Sequence, residues 1–148
     1  MSEFPGLRRL LEVMRRLRDP VSGCAWDLAQ DGRSLARYTL EEAHELVAAL
    51  ETGTPDAVRG ELGDLLFQSV FHARMAEEAG AFTIDDVVST LVDKMVERHP
   101  HVFGSVAIRD AAHQTSAWEV MKAAERARKQ AASPEKAPSA LDGVALAL

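Results

Sequence analysis

Leu40–Gln68, with the sequence LEEAHELVAALETGTPDAVRGELGDLLFQ, decides the fold because it holds two helical segments separated by a short turn. Glu42 and Glu45 stand three residues apart in the first segment, and Glu61 and Asp64 repeat that spacing in the second. Residues three apart on an α-helix lie about 60° apart around its axis, so they share a face. Apolar residues flank each pair, and the pattern therefore predicts two helices that direct acids toward the protein interior.

Capping residues mark the boundaries of these two helices. Thr39, followed three residues later by a glutamate, fits a capping box, so the first helix is predicted to begin there and to end at Gly53. Thr54, with a proline and an aspartate directly after it, predicts the start of the second helix, which runs to about Ala79. Large apolar residues cover this second helix nearly all round, which predicts burial on most sides. They are Leu62, Leu65, Leu66, Phe67, Val70 and Phe71.

The rest of the chain also follows helical patterns, and no segment alternates with the period of two that strands require. The further predicted elements are a helix over Pro5–Arg18, a loop over Asp19–Gly32, a short helical piece near Ser34, a helix from Thr83 to Arg98, a loop over His101–Gln114, and a last helix capped by Thr115 or Ser116. The predicted fold is all-α, an antiparallel bundle of about five helices that oligomerisation completes by covering the remaining apolar faces. Residues 1–132 form the predicted domain, and residues 133–148 are expected to be a flexible tail.

Composition limits the classes of partner. The net charge of -6 and the absence of a basic block argue against a nucleic-acid polymer. The N-terminal residues do not resemble a signal peptide, and no stretch reaches the roughly 18 apolar residues that a membrane span needs. The single cysteine, Cys24, cannot form an internal disulfide, which fits a protein of the reducing cytoplasm. Its side chain is expected to be a buried small hydrophobe.

The four acids predict a metal site if the two helices pack antiparallel. Four converging carboxylates repel each other, and one nearby arginine, Arg59, cannot neutralise them. Ligands that offer only oxygen fit a hard cation such as Mg²⁺, with Mn²⁺ as a possible substitute. Because Mg²⁺ keeps positions open for substrate phosphates, the pattern favours a metal-assisted site for a phosphorylated ligand. A glutamate pair at this spacing is also common on solvated helix faces, so this simpler interpretation stays open.

Two further pairs could serve an anionic ligand. Lys94 and Arg98 are four residues apart on one predicted helix, and Trp118 and Lys122 have the same spacing on another. The basic residues suit phosphate groups, and a tryptophan suits a base, although a solvated face and a core anchor explain the same spacings. In the first loop, Trp26 is either a base platform or a packing residue.

Taken in order, five segments resemble one family. They are GCAWDLAQ, YTLEEAHEL, GELGDLLFQSVFHARMAEE, DKMVERHPHVF and WEVMKAAER, and the resemblance covers about Leu7 to Arg126. The sequence resembles the MazG family of nucleoside triphosphate pyrophosphohydrolases, all-α enzymes related to dimeric dUTPases. The family's metal motif, E-E-x-x-E followed by E-x-x-D, matches Glu41, Glu42 and Glu45, then Glu61 and Asp64.

This resemblance implies roles for the matching residues. Glu42, Glu45, Glu61 and Asp64 would hold Mg²⁺, and Glu41 would join them in catalysis. The residues implied for the nucleotide are Lys94, Arg98, Trp118 and Lys122, with Trp26 and Gln30 in a loop near the base. The implied reaction hydrolyses a nucleoside triphosphate to the monophosphate and pyrophosphate, which would clear aberrant or surplus nucleotides, in a dimer or a dimer of dimers. The alternative is a catalytically weak helical module for dimerisation or nucleotide binding, since this chain resembles the first domain of tandem relatives.

Overall fold

A computed structural model describes residues 4–105 and 111–132, and these residues contain seven helices and no strand. The helices are α1 (Pro5–Leu17), α2 (Ala25–Leu28), α3 (Gly32–Thr52), α4 (Pro55–Glu78), α5 (Ile84–Arg98), α6 (Pro100–Phe103) and α7 (Ala111–Ala132). The all-α prediction is confirmed, and the five long helices match the predicted number. The predicted tail, residues 133–148, lies outside the described residues.

The chain divides into two compact units, Met1–Val88 and Ser89–Leu148. Each unit is described by itself below. The proposed extent of the domain, residues 1–132, stays a prediction.

In the first unit, α3 and α4 form the predicted antiparallel hairpin. Only Gly53 and Thr54 separate them, and Thr54 caps α4 by accepting a hydrogen bond from the backbone N–H of Ala57 at 3.3 Å. The N–H of Gly53 donates to the carbonyl of Ala49 at 2.8 Å, and a Cβ at position 53 would lie 2.5 Å from that same oxygen. A glycine therefore fits here where a larger residue would collide with the last turn of α3.

The start of α3 differs from the prediction. This helix begins at Gly32, and Asp31 caps it: its carboxylate accepts from the N–H of Ser34 at 2.8 Å while the Ser34 hydroxyl accepts from the N–H of Asp31 at 2.9 Å. Thr39 lies well inside the helix, so its prediction as the N-cap was wrong. The earlier start brings Leu35 into the core, where it is 1% exposed, and this burial favours the longer helix.

Smaller corrections follow elsewhere. The loops predicted over Asp19–Gly32 and His101–Gln114 each contain a one-turn helix, α2 and α6. The last helix begins at Ala111, so Thr115 and Ser116 lie inside it and the prediction of a cap at either residue was wrong. Cys24 is exposed instead of buried.

The core of the first unit lies where α1 and α3 pack against α4. Its fully buried members are Met14, Leu35, Val70 and Phe71. The expectation that α4 is buried on most sides was wrong for its N-terminal half, because Leu62 and Leu66 are 53% and 47% exposed.

A largely buried arginine connects the end of α1 to α4. Arg18 donates to the Glu78 carboxylate through Nε at 2.9 Å and Nη2 at 2.7 Å, and its side chain is 9% exposed. Hydrogen bonds from Arg18 lower the pKa of Glu78, and Arg74 adds a second ion pair at 2.9 Å. A two-sided pairing of this kind satisfies a partly buried carboxylate.

In the second unit, Trp118 on α7 holds the end of α5. Its indole N–H donates to the carbonyl of Arg98 at 3.2 Å, and its ring lies 5.5 Å from that of His99 in an edge-to-face arrangement. The His99 ring is in turn 5.7 Å from the ring of His101, in α6. None of the helices in the described ranges is both long and apolar enough to cross a bilayer.

Candidate metal centre

The helical hairpin brings three of the predicted acids together. Ligand oxygens of Glu42, Glu45 and Glu61 all lie within 4.8 Å of one another, and these three residues are called the acidic cluster below. The antiparallel direction explains the meeting, because α3 and α4 place residues before and after the turn side by side. Glu42 and Glu61 are half-buried, whereas Glu45 is exposed, so the prediction that all the acids face the interior was wrong in part.

Burial and the acidic neighbours of Glu42 both raise the pKa of its carboxyl. Partial burial raises the pKa of its carboxyl most, and the charges of Asp64, Glu45, Glu61 and Glu41 raise it further, in that order. Asp64 therefore acts electrostatically on the acidic cluster although its oxygens lie outside the group within 4.8 Å, and its side chain is exposed. Glu41 is exposed as well.

Within the described ranges, no basic side chain forms an ion pair with these five acids. Arg59, the cation nearest in sequence, pairs with Asp56 at 3.1 Å, and both side chains are 79% exposed. Grouped carboxylates that repel one another and have no cationic partner are the donor set that a hard divalent cation requires. Ligand oxygens within 4.8 Å of one another are close enough for one cation to be shared among the three side chains. The residues present thus fit a divalent cation with oxygen ligands.

A buried polar contact lies next to this centre. Thr39, one turn before Glu42 on α3, has its hydroxyl 3.0 Å from Nε2 of His72 and 3.4 Å from Oε1 of Gln68. Gln68, one turn after Asp64 on α4, is 6% exposed. These contacts connect α3 to α4, the two helices that carry the acids. The sequence pattern did not predict these contacts, because it placed Thr39 at the N-cap of the helix and gave its side chain a capping role.

Trp26 and Gln30 lie beside the N-terminal half of α3. The Trp26 ring is 49% exposed and meets the ring of Tyr38 edge to face at 5.6 Å. Tyr38 precedes Glu42 and Glu45 by four and seven residues, so all three share one face of α3. Gln30 uses its side-chain amide locally: Nε2 donates to the Trp26 carbonyl at 3.0 Å, and Oε1 accepts from Ser34 at 2.8 Å. Sequence reasoning missed Tyr38, although its helical spacing to the acids was available.

The other four candidates belong to the second unit. Lys94 and Arg98 are half-buried on α5, and Lys122 pairs with Glu119 at 3.0 Å on α7. Trp118 has its indole N–H occupied by a backbone carbonyl, as described above. Their roles toward a nucleotide stay predictions.

A cavity in the first unit is a separate feature. It has a volume of about 300 Å³ between α1, α4 and the start of α5, and none of the predicted site residues lines it. Apolar residues and charged residues both line it, and the charged ones include Arg8, Arg15 and Arg74.

The fold and the site together define a class: an all-α protein in which a helical hairpin presents a cluster of carboxylates whose donor set fits a divalent cation. Comparison with known proteins narrows this class. The profile of the MazG nucleotide pyrophosphohydrolase domain matches residues 30–103, half of the chain, and the chain belongs to the MazG family.

Curated relatives agree with the profile. The chain is 47% identical over 121 residues, 82% of its length, to the nucleoside triphosphate pyrophosphohydrolase of Escherichia coli K12. It is 45% identical over 121 residues to the nucleoside triphosphate pyrophosphohydrolase/pyrophosphatase MazG of Thermotoga maritima, and 43% identical over 128 residues to the nucleoside triphosphate pyrophosphohydrolase of Mycobacterium tuberculosis. The matches cover 82% and 84% of this chain respectively. The chain spans about half or less of each relative: 46%, 46% and 38% of their lengths.

Proposed function

We propose that this protein hydrolyses nucleoside triphosphates to the monophosphate and pyrophosphate with the help of Mg²⁺. One observation supports this more than any other: the oxygens of Glu42, Glu45 and Glu61 converge within 4.8 Å without a basic partner among the described residues. The matched relatives carry the name of this activity. In the cell, we expect the reaction to clear aberrant or surplus nucleotides in the cytoplasm.

The reaction joins the oxygen of water to the α-phosphorus and breaks the bond from that phosphorus to the oxygen that bridges it to the β-phosphorus. The electron pair of that bond leaves with pyrophosphate. A divalent cation bound here would neutralise charge on the phosphates, or Mn²⁺ would replace Mg²⁺ in that role. Glu42, Glu45 and Glu61 would hold the cation, with Asp64 completing the donor set from the next turn of α4.

The attacking water needs a carboxylate to orient it and accept its proton. Glu41 and Glu45 are the two candidates. We favour Glu41, because Glu45 belongs to the acidic cluster and would use its oxygens on the cation, whereas Glu41 lies outside that group. Lys94, Arg98 and Lys122 would stabilise the leaving pyrophosphate, because their positive charges suit phosphate oxygens.

A homo-oligomer also belongs to this proposal. Leu62, Leu66, Val70 and Ala73 recur at helical spacing along α4, and this set is called the α4 stripe. Its second half is buried where α1 packs, with Val70 and Ala73 2% and 3% exposed, but its first half is about half exposed. Because only half of the apolar stripe is buried within the chain, we expect a second copy of the protein to bury the other half, in a dimer or a dimer of dimers.

Replacement of single acids tests the function. Glu61→Gln and Asp64→Asn should each lower Mg²⁺-dependent pyrophosphate release by about 100-fold or more, the scale on which preorganised charge contributes to catalysis. Far-UV circular dichroism should stay unchanged, because neither side chain belongs to the buried core: Glu61 is half-buried and Asp64 is exposed. Glu51→Gln, at the exposed far end of α3, is the matched control and should keep full activity.

Two outcomes would contradict the proposal. Full activity in both acid variants would exclude Glu61 and Asp64 from the reaction. Release of orthophosphate in place of pyrophosphate would exclude attack at the α-phosphorus. A panel of nucleotides that includes oxidised and methylated bases would show which substrates the protein accepts.

A further inference from the structure

Arg18 connects three parts of the first unit through one guanidinium group. Its Nη1 donates to the carbonyl oxygens of Asp27 at 2.6 Å and Gln30 at 3.3 Å. Its Nε and Nη2 donate to the carboxylate of Glu78 on α4, and the group lies 5.5 Å from the centre of the Phe71 ring. With 9% of the side chain exposed, Arg18 is a largely buried cation whose donors are directed to acceptors on both sides.

The two carbonyls that Arg18 binds belong to the end of α2 and the turn after it. Carbonyls in the last turn of a helix lack a full set of partners inside it: the Asp27 carbonyl accepts from the N–H of Gln30 at 3.3 Å, and Arg18 adds a shorter bond from outside the helix. A helix of four residues is also too short to hold its shape alone, and its one buried residue is Asp27, at 7% exposure. The position of α2 therefore depends on contacts from outside, among them the two bonds from Arg18 and the bond from the N–H of Cys24 to the carbonyl of Leu17 at 2.8 Å.

The same short helix carries Trp26. Its carbonyl accepts from the Gln30 side chain, and its ring rests edge to face on Tyr38, one turn before Glu42 on α3. Arg37 lies over the Tyr38 ring at 4.6 Å and donates to its hydroxyl at 2.7 Å, so Tyr38 itself is held in place. The exposed half of Trp26 is thus presented on a fixed support near the acidic cluster.

We propose that Arg18 is a positioning residue for the nucleoside end of the substrate: by anchoring the carbonyls of Asp27 and Gln30 to α4, it sets the Trp26 indole before substrate arrives. The inference rests on the proposed function, because it takes Trp26 as a contact of the nucleotide. A preset aromatic platform lowers the ordering cost of binding, so its loss acts on substrate affinity more than on the chemical step.

Arg18→Lys tests this role with the charge retained. A lysine keeps a cation beside Glu78 but cannot donate at once to the carboxylate and to two carbonyls in the planar arrangement of a guanidinium. Arg15→Lys is the matched control: it lies three residues earlier on α1, and its pair with Glu12 is on the surface, with the two side chains 55% and 51% exposed.

Two measurements should separate the variants. In a Trp118→Phe background, where Trp26 is the remaining tryptophan, Arg18→Lys should increase quenching of Trp26 fluorescence by acrylamide and Arg15→Lys should not. In the otherwise native chain, Arg18→Lys should raise KM for the nucleoside triphosphate about tenfold, the scale of one lost hydrogen bond to a charged group. The kcat and the affinity for Mg²⁺ should stay within about twofold, because the acidic cluster is untouched.

Two results would contradict the inference, each at a different step. Native-like quenching in Arg18→Lys would show that α2 is placed without Arg18. Increased quenching with an unchanged KM would show that the placement of Trp26 does not affect the nucleotide. If Arg18→Lys does not fold, Glu78→Gln loosens the same anchor while it keeps an acceptor, and it must shift quenching and KM in the same direction. If the native protein releases no pyrophosphate, the proposed function fails, and the quenching comparison still decides whether Arg18 places Trp26.

Discussion

Glu42 is the residue on which the electrostatics of the site converge. Burial and four neighbouring acids raise the pKa of its carboxyl above the ordinary value of 4.5. A raised pKa means that the folded protein holds this proton more tightly than the unfolded chain. Stability from Glu42 is therefore greatest when the carboxyl is protonated, and it falls as the pH rises from 4.5 through the raised pKa.

We expect Glu42→Gln to raise the melting temperature at pH 7 to 8 in the presence of a chelator, and to lose this advantage as the pH falls toward 4.5, because native Glu42 then becomes increasingly protonated. With Mg²⁺ the order should reverse, because the cation stabilises the native acids and finds one ligand fewer in the variant. Thermal unfolding followed by circular dichroism gives both comparisons.

The control is Glu51→Gln, whose effect should not depend on Mg²⁺. A Glu42→Gln variant that is less stable than the native protein under every condition without cation would show that repulsion does not govern this site.

At the same scale, the sequence identified the acids but not their supports. Glu42, Glu45 and Glu61 were found because helical spacing fixes which side chains share a face, and a short turn fixes which helices meet. Arg18 gave no signal, since its partners lie 9, 12 and 60 residues away and no periodic pattern joins them. Such long-range hydrogen bonds depend on packing that local sequence does not encode.

At the scale of elements, the helix ends show where sequence reasoning is ambiguous. Asp31 with Ser34 and Thr39 with Glu42 both fit a reciprocal cap, and the local pattern cannot choose between them. The choice is made by tertiary packing, because only the longer helix places Leu35 in the core. Where one cap had no competitor, as at Thr54 and at Thr83 with Asp86, the predicted starts of α4 and α5 are confirmed.

Two glycines of the hairpin should respond in opposite ways to alanine. At Gly63, inside α4, a Cβ would meet nothing within 4 Å, so Gly63→Ala should stabilise the protein by about 0.5–1 kcal/mol through helix propensity alone. At Gly53 a Cβ would lie 2.5 Å from a backbone oxygen, so Gly53→Ala should be destabilising. Thermal unfolding of the two variants makes the comparison. A loss of stability at Gly63 would mean that another molecule occupies the space beside it.

At the scale of the whole molecule, the α4 stripe predicts self-association. Light scattering at micromolar concentration should give at least twice the mass of one chain. Leu62→Asp together with Leu66→Asp should shift the protein toward the monomer, because a charge in a buried apolar contact is costly.

Val21→Asp is the matched control for this pair. Val21 is 94% exposed in the loop after α1, outside the α4 stripe, so its replacement should leave the mass unchanged. A native protein that is monomeric at these concentrations would contradict the prediction, as would a double variant, Leu62→Asp with Leu66→Asp, that keeps the native mass.

The two-residue connection between α3 and α4 has a consequence for how the chain folds. Since Glu45 and Glu61 are separated by so short a span, closing the loop between them costs little chain entropy, and the hairpin is a contact of low order. We expect the acids of the hairpin to come together early in refolding. The ion pair between Arg18 and Glu78 forms later, because a much larger loop must close first. A stopped-flow refolding experiment that records both Mg²⁺ binding and Trp26 emission should show the Mg²⁺ signal first.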